Sequence, residues 1–228
     1  MTILERTINL ITQHRGKRIW ESDRTLRVFE KAWYEDPARK KVYDLIAGAY
    51  KPEATLLDGG CGIGFDTERI LARFDKIQYT GIDTSHKMIE HCQKKFSKNY
   101  PNAKFSYGDI TNIQYPDKHF DIVISCNVLV HISGFVPALN ELCRVCKKYL
   151  IMQFNYIDEA GEYLAKLSPE EFDRRFLDKH SKMYFVYYNP QEITDISSEL
   201  GFNRIFKENF YLDRFKREAT VMQFDRRE

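Results

Sequence analysis

The stretch at residues 56–65 restricts the fold of this chain more than any other. An apolar run ends there in Asp58, and four glycines follow within the next six residues. Glycine is favoured where the backbone needs a positive φ or must approach another group closely. Apolar residues at helical spacing come next, at positions 65, 70, 71 and 74. This order of strand, glycine-rich turn and helix is typical of the first unit of a nucleotide-binding sheet, and the alternative is a glycine-rich surface loop.

Strand and helix patterns alternate after this turn. The predicted strands of this region cover residues 54–58, 77–83, 103–107, 120–126 and 149–154. The predicted helices cover residues 65–74, a segment that begins after an N-cap at Ser85, and residues 136–147. Such alternation predicts a parallel sheet with helices on both faces. Two final strands, 205–212 and 219–224, are separated by a short polar turn, which predicts an antiparallel hairpin.

The sequence therefore predicts a Rossmann-like α/β fold, with a doubly wound, mostly parallel seven-stranded sheet and an antiparallel C-terminal hairpin. We assign residues 1–228 to one domain. Residues 1–50 predict a helical N-terminal cap, with a break at Gly16 and a new helix from Pro37. Residues 156–188 are charged and aromatic and predict a lid insertion, with a helix start at Ser168.

Charge and composition indicate which partners and which location to expect. The net charge is +2 and 43 % of the residues are hydrophobic, which gives no reason to expect a nucleic acid or an anionic membrane as partner. No apolar run approaches the length of a transmembrane span. The N-terminus lacks the order of a signal peptide, so we expect a cytoplasmic location.

The cysteine pattern predicts reduced thiols, because five cysteines occur without a secretion signal. Cys143 and Cys146 form a C-x-x-C pair inside a predicted helix. We interpret them as two small residues on one helical face, and a redox or zinc role is the alternative. The sequence predicts no metal site.

Polar residues follow all five strands of the alternating region. They are Asp58 and the glycines, Asp83, Asp109, Asn127 with His131, and Asn155 with Tyr156. Ligands of open α/β sheets bind at the carboxyl ends of the strands. Because these residues come from five different strands, we expect them to converge on one site.

The spacing and charge of these residues favour a cationic nucleoside as ligand. Asp83 lies 23 residues after Gly60, close to the ~20 expected for an acid that binds ribose hydroxyls. Asp109 suits an adenine amine, with Ile82, Met88 and Ile110 against the ring. The alternatives are a helix cap for Asp83 and a turn former for Asp109. A pyrophosphate cofactor such as NAD(P) prefers donors to acids, and Phe65 replaces the third glycine of its fingerprint.

The sequence resembles the class I S-adenosylmethionine (SAM)-dependent methyltransferases over about residues 38–155. Residues 57–64 resemble motif I of that family, 81–85 motif II, 107–110 motif III and 120–132 motif IV. One departure is the segment 146–148, which reads Cys-Lys-Lys where many relatives have a Pro-Gly-Gly turn.

The resemblance implies SAM as cofactor and assigns residues to its parts. Asp83 would bind the ribose, Asp109 the adenine and Asn127 the methionyl part, while the motif I glycines would line the methionine moiety. The complete predicted cofactor site is Asp58, Gly60, Cys61, Gly62, Gly64, Asp83, Thr84, Met88, Asp109, Ile110 and Asn127.

The resemblance also implies methyl transfer, and we predict an O or N atom of a small molecule as acceptor. The N/D-P-P-Y/F run of nucleic-acid amino methyltransferases is absent after the fourth strand, where residues 127–130 read Asn-Val-Leu-Val. His131 is the predicted general base, and the alternative is that it packs against or caps the next helix. The predicted substrate contacts are Trp33, Tyr34, Arg39, Tyr156 and Tyr184.

Several alternatives remain open at this point. Arg39 is predicted either to meet the SAM carboxylate or to be an exposed helix arginine. The whole chain is alternatively an NAD(P)-dependent oxidoreductase or a non-catalytic SAM-binding regulatory protein. We expect a monomer or a homodimer.

Overall fold

The computed structural model is built around a seven-stranded sheet, with a separate two-stranded sheet beside it. It describes residues 20–32, 37–132, 134–159, 162–166, 184–212 and 217–227. The strands in this part of the chain are β1 (Thr55–Gly59), β2 (Gln78–Asp83), β3 (Ala103–Tyr107), β4 (Phe120–Cys126), β5 (Cys146–Asn155), β6 (Glu162–Lys166), β7 (Tyr184–Tyr188), β8 (Phe202–Leu212) and β9 (Arg217–Arg226). The helices are α1 (Asp23–Ala32), α2 (Pro37–Ala49), α3 (Phe65–Arg73), α4 (His86–Phe96), α5 (Val136–Val145) and α6 (Pro190–Glu199), and a short 3₁₀ helix covers Leu129–His131.

The strand order of the large sheet is β3-β2-β1-β4-β5-β9-β8. The five strands from β3 to β5 are parallel, whereas β9 pairs antiparallel with both β5 and β8. The order reverses between β1 and β4, and such a switch point is where open α/β sheets bind ligands. The predicted fold class is thus confirmed.

Both faces of the sheet are buried under helices, as the apolar run in β4 predicts. Ile122 and Ile124 of β4 pack into one apolar cluster, which also contains Val42 of α2. Val123 points to the opposite face and joins a second cluster that contains Leu139 of α5. Alternate side chains of a strand point to opposite faces, so a strand buried on both sides needs the continuous apolar sequence seen here.

The junction between α5 and β5 differs from the prediction. The helix ends at Val145 and the strand begins at Cys146, so the interpretation of Cys143 and Cys146 as neighbours on one helical face is wrong. The guanidinium of Arg226 donates hydrogen bonds to the carbonyls of Cys143 and Cys146, at 2.6 and 2.8 Å. Arg226 thereby satisfies carbonyls that the helix end leaves open, and the chain enters β5 without an intervening turn.

The predicted lid insertion contains strands that the sequence analysis missed. β6 and β7 form an antiparallel pair outside the main sheet. The sequence of β7, Tyr-Phe-Val-Tyr-Tyr, has the aromatic and β-branched residues that favour strands. The predicted helix start at Ser168 and the predicted helix and break before residue 20 lie outside the described residues. In the part of the chain that the structure describes, no helix has the length and apolar character to cross a membrane.

Candidate cofactor and substrate site

A pocket of about 290 Å³ opens at the carboxyl ends of the central strands, next to the switch point. Nine of the eleven predicted cofactor residues line it: Gly60, Cys61, Gly62, Asp83, Thr84, Met88, Asp109, Ile110 and Asn127. Two further predicted residues, Arg39 and His131, also line it. The structure therefore brings together residues that follow four strands, β1 to β4, with Arg39 of helix α2.

The glycine turn between β1 and α3 forms one wall of this pocket. Gly60 has φ 88°, and a Cβ there would lie 2.3 Å from Cγ2 of Val128, so only glycine fits. The N–H groups of Gly60 and Cys61 both donate to the carbonyl of Ile82, at 2.8 and 3.0 Å. Gly62 has φ 54° and open space on its Cβ side. The turn therefore presents backbone to the pocket where a ligand can approach closely.

The carboxylate of Asp83 joins the first two loops of the site. Its Oδ2 accepts from the N–H of Gly62 at 3.0 Å, and its Oδ1 accepts from the N–H of Ser85 at 2.9 Å. Burial raises the pKa of Asp83, although these two hydrogen bonds oppose the shift. Ser85 itself caps α4, since its Oγ accepts from the N–H of Met88, so the alternative of Asp83 as the helix cap is wrong. Each carboxylate oxygen has capacity for a second donor.

Asp109 combines a turn contact with a place in the pocket wall. Its Oδ1 accepts from both the N–H and the hydroxyl of Thr111, at 2.9 and 2.8 Å. This is the local turn bonding that the sequence offered as an alternative for Asp109. Ile110 and Met88 are buried and line the same pocket. The result is an apolar slot with an acid at its edge.

Asp58 and Gly64 do not line the pocket, which corrects their predicted place in the cofactor site. Asp58 is only 2 % exposed, and it accepts a hydrogen bond from the hydroxyl of Tyr79 at 2.6 Å. That hydroxyl also bonds to Thr67 at 2.7 Å. A Cβ on Gly64 would lie 2.4 Å from the Phe96 ring. We therefore reassign both residues as supports that hold the glycine turn from behind.

The buried Asp58 makes stability depend on pH. Burial, and next the charge of Asp66, raise the pKa of Asp58 above its usual range. A carboxyl with a raised folded-state pKa stabilises the fold below its unfolded pKa near 3.9 and loses that stabilisation as pH rises through the folded value.

Asp58→Asn is therefore expected to raise the melting temperature relative to wild type more at pH 8 than at pH 5. The expected difference is at least about 2 °C, the shift that ~1 kcal/mol causes in a chain of this size. Asp121→Asn is the control, because the pKa of Asp121 is lowered and its contribution is constant above pH 5. Equal effects of Asp58→Asn at both pH values, measured by thermal melting, would contradict the assignment.

A buried ion pair between α2 and α3 forms another side of the pocket. Nη1 of Arg39 lies 2.5 Å from Oδ2 of Asp66, and their side chains are 14 % and 9 % exposed. The hydroxyl of Tyr43 donates to the other carboxylate oxygen at 2.6 Å. Burial is the largest single effect and by itself lowers the pKa of Arg39, but the charge and the hydrogen bond of Asp66, together with Cys126 and Tyr43, raise the pKa overall. Arg39 is thus not the exposed helix arginine of the alternative interpretation.

Asp66 is a site residue that the sequence analysis missed. It stands in the first turn of α3. Acids are common there because they interact favourably with the helix dipole, so the sequence gives no sign of a further role. Its partner Arg39 is 27 positions away, so only the packing of α2 against α3 reveals the pair.

His131 lies on the 3₁₀ helix after β4 and lines the pocket. Its ring meets Trp20 edge-on, with ring centres 4.9 Å apart. Trp20 is held through its carbonyl, which accepts from the hydroxyl of Ser85 at 2.9 Å. Tyr188 of β7 donates a hydrogen bond to the carbonyl of Ile132. The loop that carries His131 is therefore fixed from both sides.

The predicted substrate contacts have mixed outcomes. Trp33 and Tyr34 lie outside the described residues, as does the side chain of Tyr184, the first residue of β7. Tyr156 does not line the described pocket. Burial, and next the charge of Glu218, raise the pKa of Tyr156, which places it toward β9. Of the five, only Arg39 is shown by the structure at the pocket.

The chain is similar in sequence to several known methyltransferases. A methyltransferase domain model matches residues 56–149. Phosphoethanolamine N-methyltransferase 1 of Arabidopsis thaliana is 34 % identical over 162 residues, which are 70 % of this chain and 30 % of that protein. Malonyl-[acyl-carrier protein] O-methyltransferase of Acetivibrio thermocellus is 26 % identical over 175 residues, 76 % of this chain and 60 % of that protein. The chain thus spans less than two thirds of either relative.

A solved structure is similar over nearly the whole chain. The 1,6-didemethyltoxoflavin-N1-methyltransferase of Burkholderia thailandensis superposes with a TM-score of 0.69, at 13 % identity, and the match covers 94 % of this chain and 90 % of that one. At this identity the similarity shows the fold alone. The matched model identifies residues 56–149 as a methyltransferase domain, and the named relatives agree with the resemblance of the four motifs to the class I SAM-dependent methyltransferases.

Proposed function

We propose that this protein is a SAM-dependent methyltransferase that transfers a methyl group to an O or N atom of a small molecule. The observation that carries the proposal is the convergence of the glycine turn with Asp83 and Asp109 on one pocket at the switch point. The match of residues 56–149 to a methyltransferase domain supports the reaction type.

The residues present fit SAM better than a dinucleotide. The pocket wall carries Asp66, Asp83 and Asp109 against the paired cation Arg39, so it suits a ligand with positive charge. Asp83 would hold the ribose hydroxyls, and Asp109 with its apolar neighbours would hold the adenine. The open backbone at Gly62 and the loop at Asn127 would hold the methionyl part. When bound, SAM supplies a methyl group that is electrophilic because it is attached to a sulfonium.

The chain's own contribution to the reaction is positioning and proton removal. Asn127 adopts φ 59° and donates its N–H to the carbonyl of Gln153 at 2.9 Å, which fixes the loop between cofactor and acceptor. Alignment of acceptor and methyl by such fixed groups can supply much of the rate enhancement. His131 would remove the proton of the acceptor atom. Trp20 would restrict water at this end of the pocket.

The acceptor class rests on the composition and on the relatives. One relative is named as an N-methyltransferase and another as an O-methyltransferase. We therefore propose an O or N atom as the acceptor. The net charge of +2 gives no reason to expect strong attraction to a phosphate backbone. A small molecule therefore fits better than a nucleic acid.

Calorimetric titration and methyl transfer test the proposal together. The full chain is expected to bind SAM and S-adenosylhomocysteine (SAH), to show no binding of NAD⁺, and to transfer labelled methyl groups to at least one small phenol or amine. Binding of NAD⁺ instead of SAM would favour the oxidoreductase alternative. Tight SAM binding without turnover would favour the regulatory alternative.

His131→Asn is expected to lower kcat by about 10²- to 10⁴-fold, the range for a lost general base, while the affinity for SAH stays within a factor of three of wild type. Steady-state kinetics with saturating SAM and calorimetry measure the two quantities. His119→Asn serves as the control, because His119 is exposed and stands directly before β4, at its opposite end. An unchanged kcat in the His131 variant would leave this residue with a packing function only.

A further inference from the structure

Within the part of the chain that the structure describes, two carboxamide side chains at the carboxyl end of β5 have no hydrogen-bond partner. Gln153 and Asn155 are both 0 % exposed, and all four of their side-chain N and O atoms lack a partner. Nearly all buried polar groups in proteins are satisfied, and an unsatisfied one lowers stability. The two side chains therefore need hydrogen-bond partners from outside the chain.

Their position connects them to the pocket. Residues 153 and 155 are two apart on one strand, so both side chains point to the same face of the sheet. Gln153 stands opposite Cys126 in the register of β4 and β5, and Cys126 lines the pocket. The backbone carbonyl of Gln153 holds the loop at Asn127. The carboxamides thus lie one strand beyond the pocket wall, on the side where β5 ends.

The surroundings of the two carboxamides carry no countercharge in the strands. The neighbours in register are Cys126 on β4, and Val221 and Ala219 on β9. On the helices, Arg39 of α2 interacts with Cys126, but its charge is already compensated by Asp66. A further charged ligand group placed there would be buried without compensation, which is strongly unfavourable. A carboxamide offers both donors and an acceptor, so it matches a neutral group that donates and accepts.

We propose that Gln153 and Asn155 form the polar recognition subsite for the methyl acceptor, and that the acceptor carries a neutral hydroxyl or carboxamide group. This inference rests on the proposed methyltransferase function and names the acceptor chemistry of that same site. Since both side chains are 0 % exposed, acceptor binding requires a local opening at the end of β5, as opening and closing motions do in many enzymes.

Gln153→Met and Asn155→Leu test this subsite, because each replaces a carboxamide by an apolar side chain of similar size. Neither variant is expected to melt below wild type, since removal of an unpaired buried group is neutral or stabilising. Their affinity for SAH is expected to stay within a factor of three. Gln223→Met is the control, because Gln223 is a buried glutamine opposite Ile151, further from the end of β5.

Four probes then define the acceptor class by ligand-observed NMR on the SAH-loaded full chain: phenol, nicotinamide, ethanolamine and benzoate. Phenol or nicotinamide is expected to bind wild type and Gln223→Met, and to bind at least tenfold more weakly to the two subsite variants. The charged ethanolamine and benzoate are expected not to bind.

Several results would overturn the inference. One is a lower melting temperature in both subsite variants with unchanged probe binding, because that would make the carboxamides structural. Failure of both neutral probes to bind wild type would also overturn it, as would preferential binding of a charged probe. A crystal structure that shows the probe bound elsewhere, with only ordered water on both carboxamides, would overturn it as well. Failure of wild type to bind SAH is measured separately, and it would instead contradict the proposed function.

Discussion

Replacement of Asp83 by asparagine is expected to weaken SAH binding by at least about 100-fold. The carboxylate already accepts the N–H groups of Gly62 and Ser85, and the proposed ribose hydroxyls would add two more donors. Hydrogen bonds to a charged group contribute about 1.5–3 kcal/mol each, and ~1.4 kcal/mol is a factor of ten in affinity. An asparagine amide would also point a donor at one of the two backbone N–H groups.

Isothermal titration calorimetry with SAH measures this effect. The matched control is Asp23→Asn, since Asp23 is an exposed acid that pairs with Lys87 on α4. Thermal melting of both variants tells whether the Asp83 variant still folds. A folded Asp83→Asn protein with the affinity of wild type would show that Asp83 only joins the two loops and does not bind the ligand.

Replacement of Asp66 by alanine is expected to lower the free energy of unfolding by about 3–5 kcal/mol, because it removes the carboxylate that neutralises the buried Arg39. The pair is 14 % and 9 % exposed and the Arg39 guanidinium lies 2.5 Å from the carboxylate. The Tyr43 hydroxyl would lose its acceptor as well. Chemical denaturation with urea measures the change.

The exposed ion pair on the same helices provides the comparison. Arg73 of α3 and Asp44 of α2 are 3.1 Å apart, with side chains 47 % and 54 % exposed. Asp44→Ala is expected to lower stability by at most about 1 kcal/mol. Removal of both buried charges, by Arg39→Met with Asp66→Ala, is expected to recover part of the loss. Equal effects of Asp66→Ala and Asp44→Ala would show that the buried pair contributes no more than a surface pair.

The parts of the site that the sequence predicts are those encoded within single loops. The turn at residues 59–64 requires glycine because Gly60 has a positive φ and contacts Val128, and this requirement is visible as a local run of glycines. Asp83 is the last residue of a predicted strand and Asp109 follows the next one, and the carboxyl ends of parallel strands meet at one edge of the sheet. This is why the sequence places both acids at the site.

The parts that the sequence could not predict depend on contacts between distant segments. Asp58 looked like a pocket residue, but Tyr79, 21 positions away, binds it behind the turn. The helical pattern predicts α5 up to residue 147, whereas the helix ends at Val145. Arg226, 80 positions after Cys146, donates to the carbonyls at this junction. Such partners are chosen by packing and leave no periodic pattern.

A crystal structure of the full chain with SAH tests the central claim most directly. We expect the Asp83 carboxylate within hydrogen-bond distance of the ribose hydroxyls, the adenine between Met88 and Ile110 beside Asp109, and the sulfur in the part of the pocket lined by Asn127 and His131. SAH bound outside this pocket, or bound within it with its ribose away from Asp83, would contradict the account.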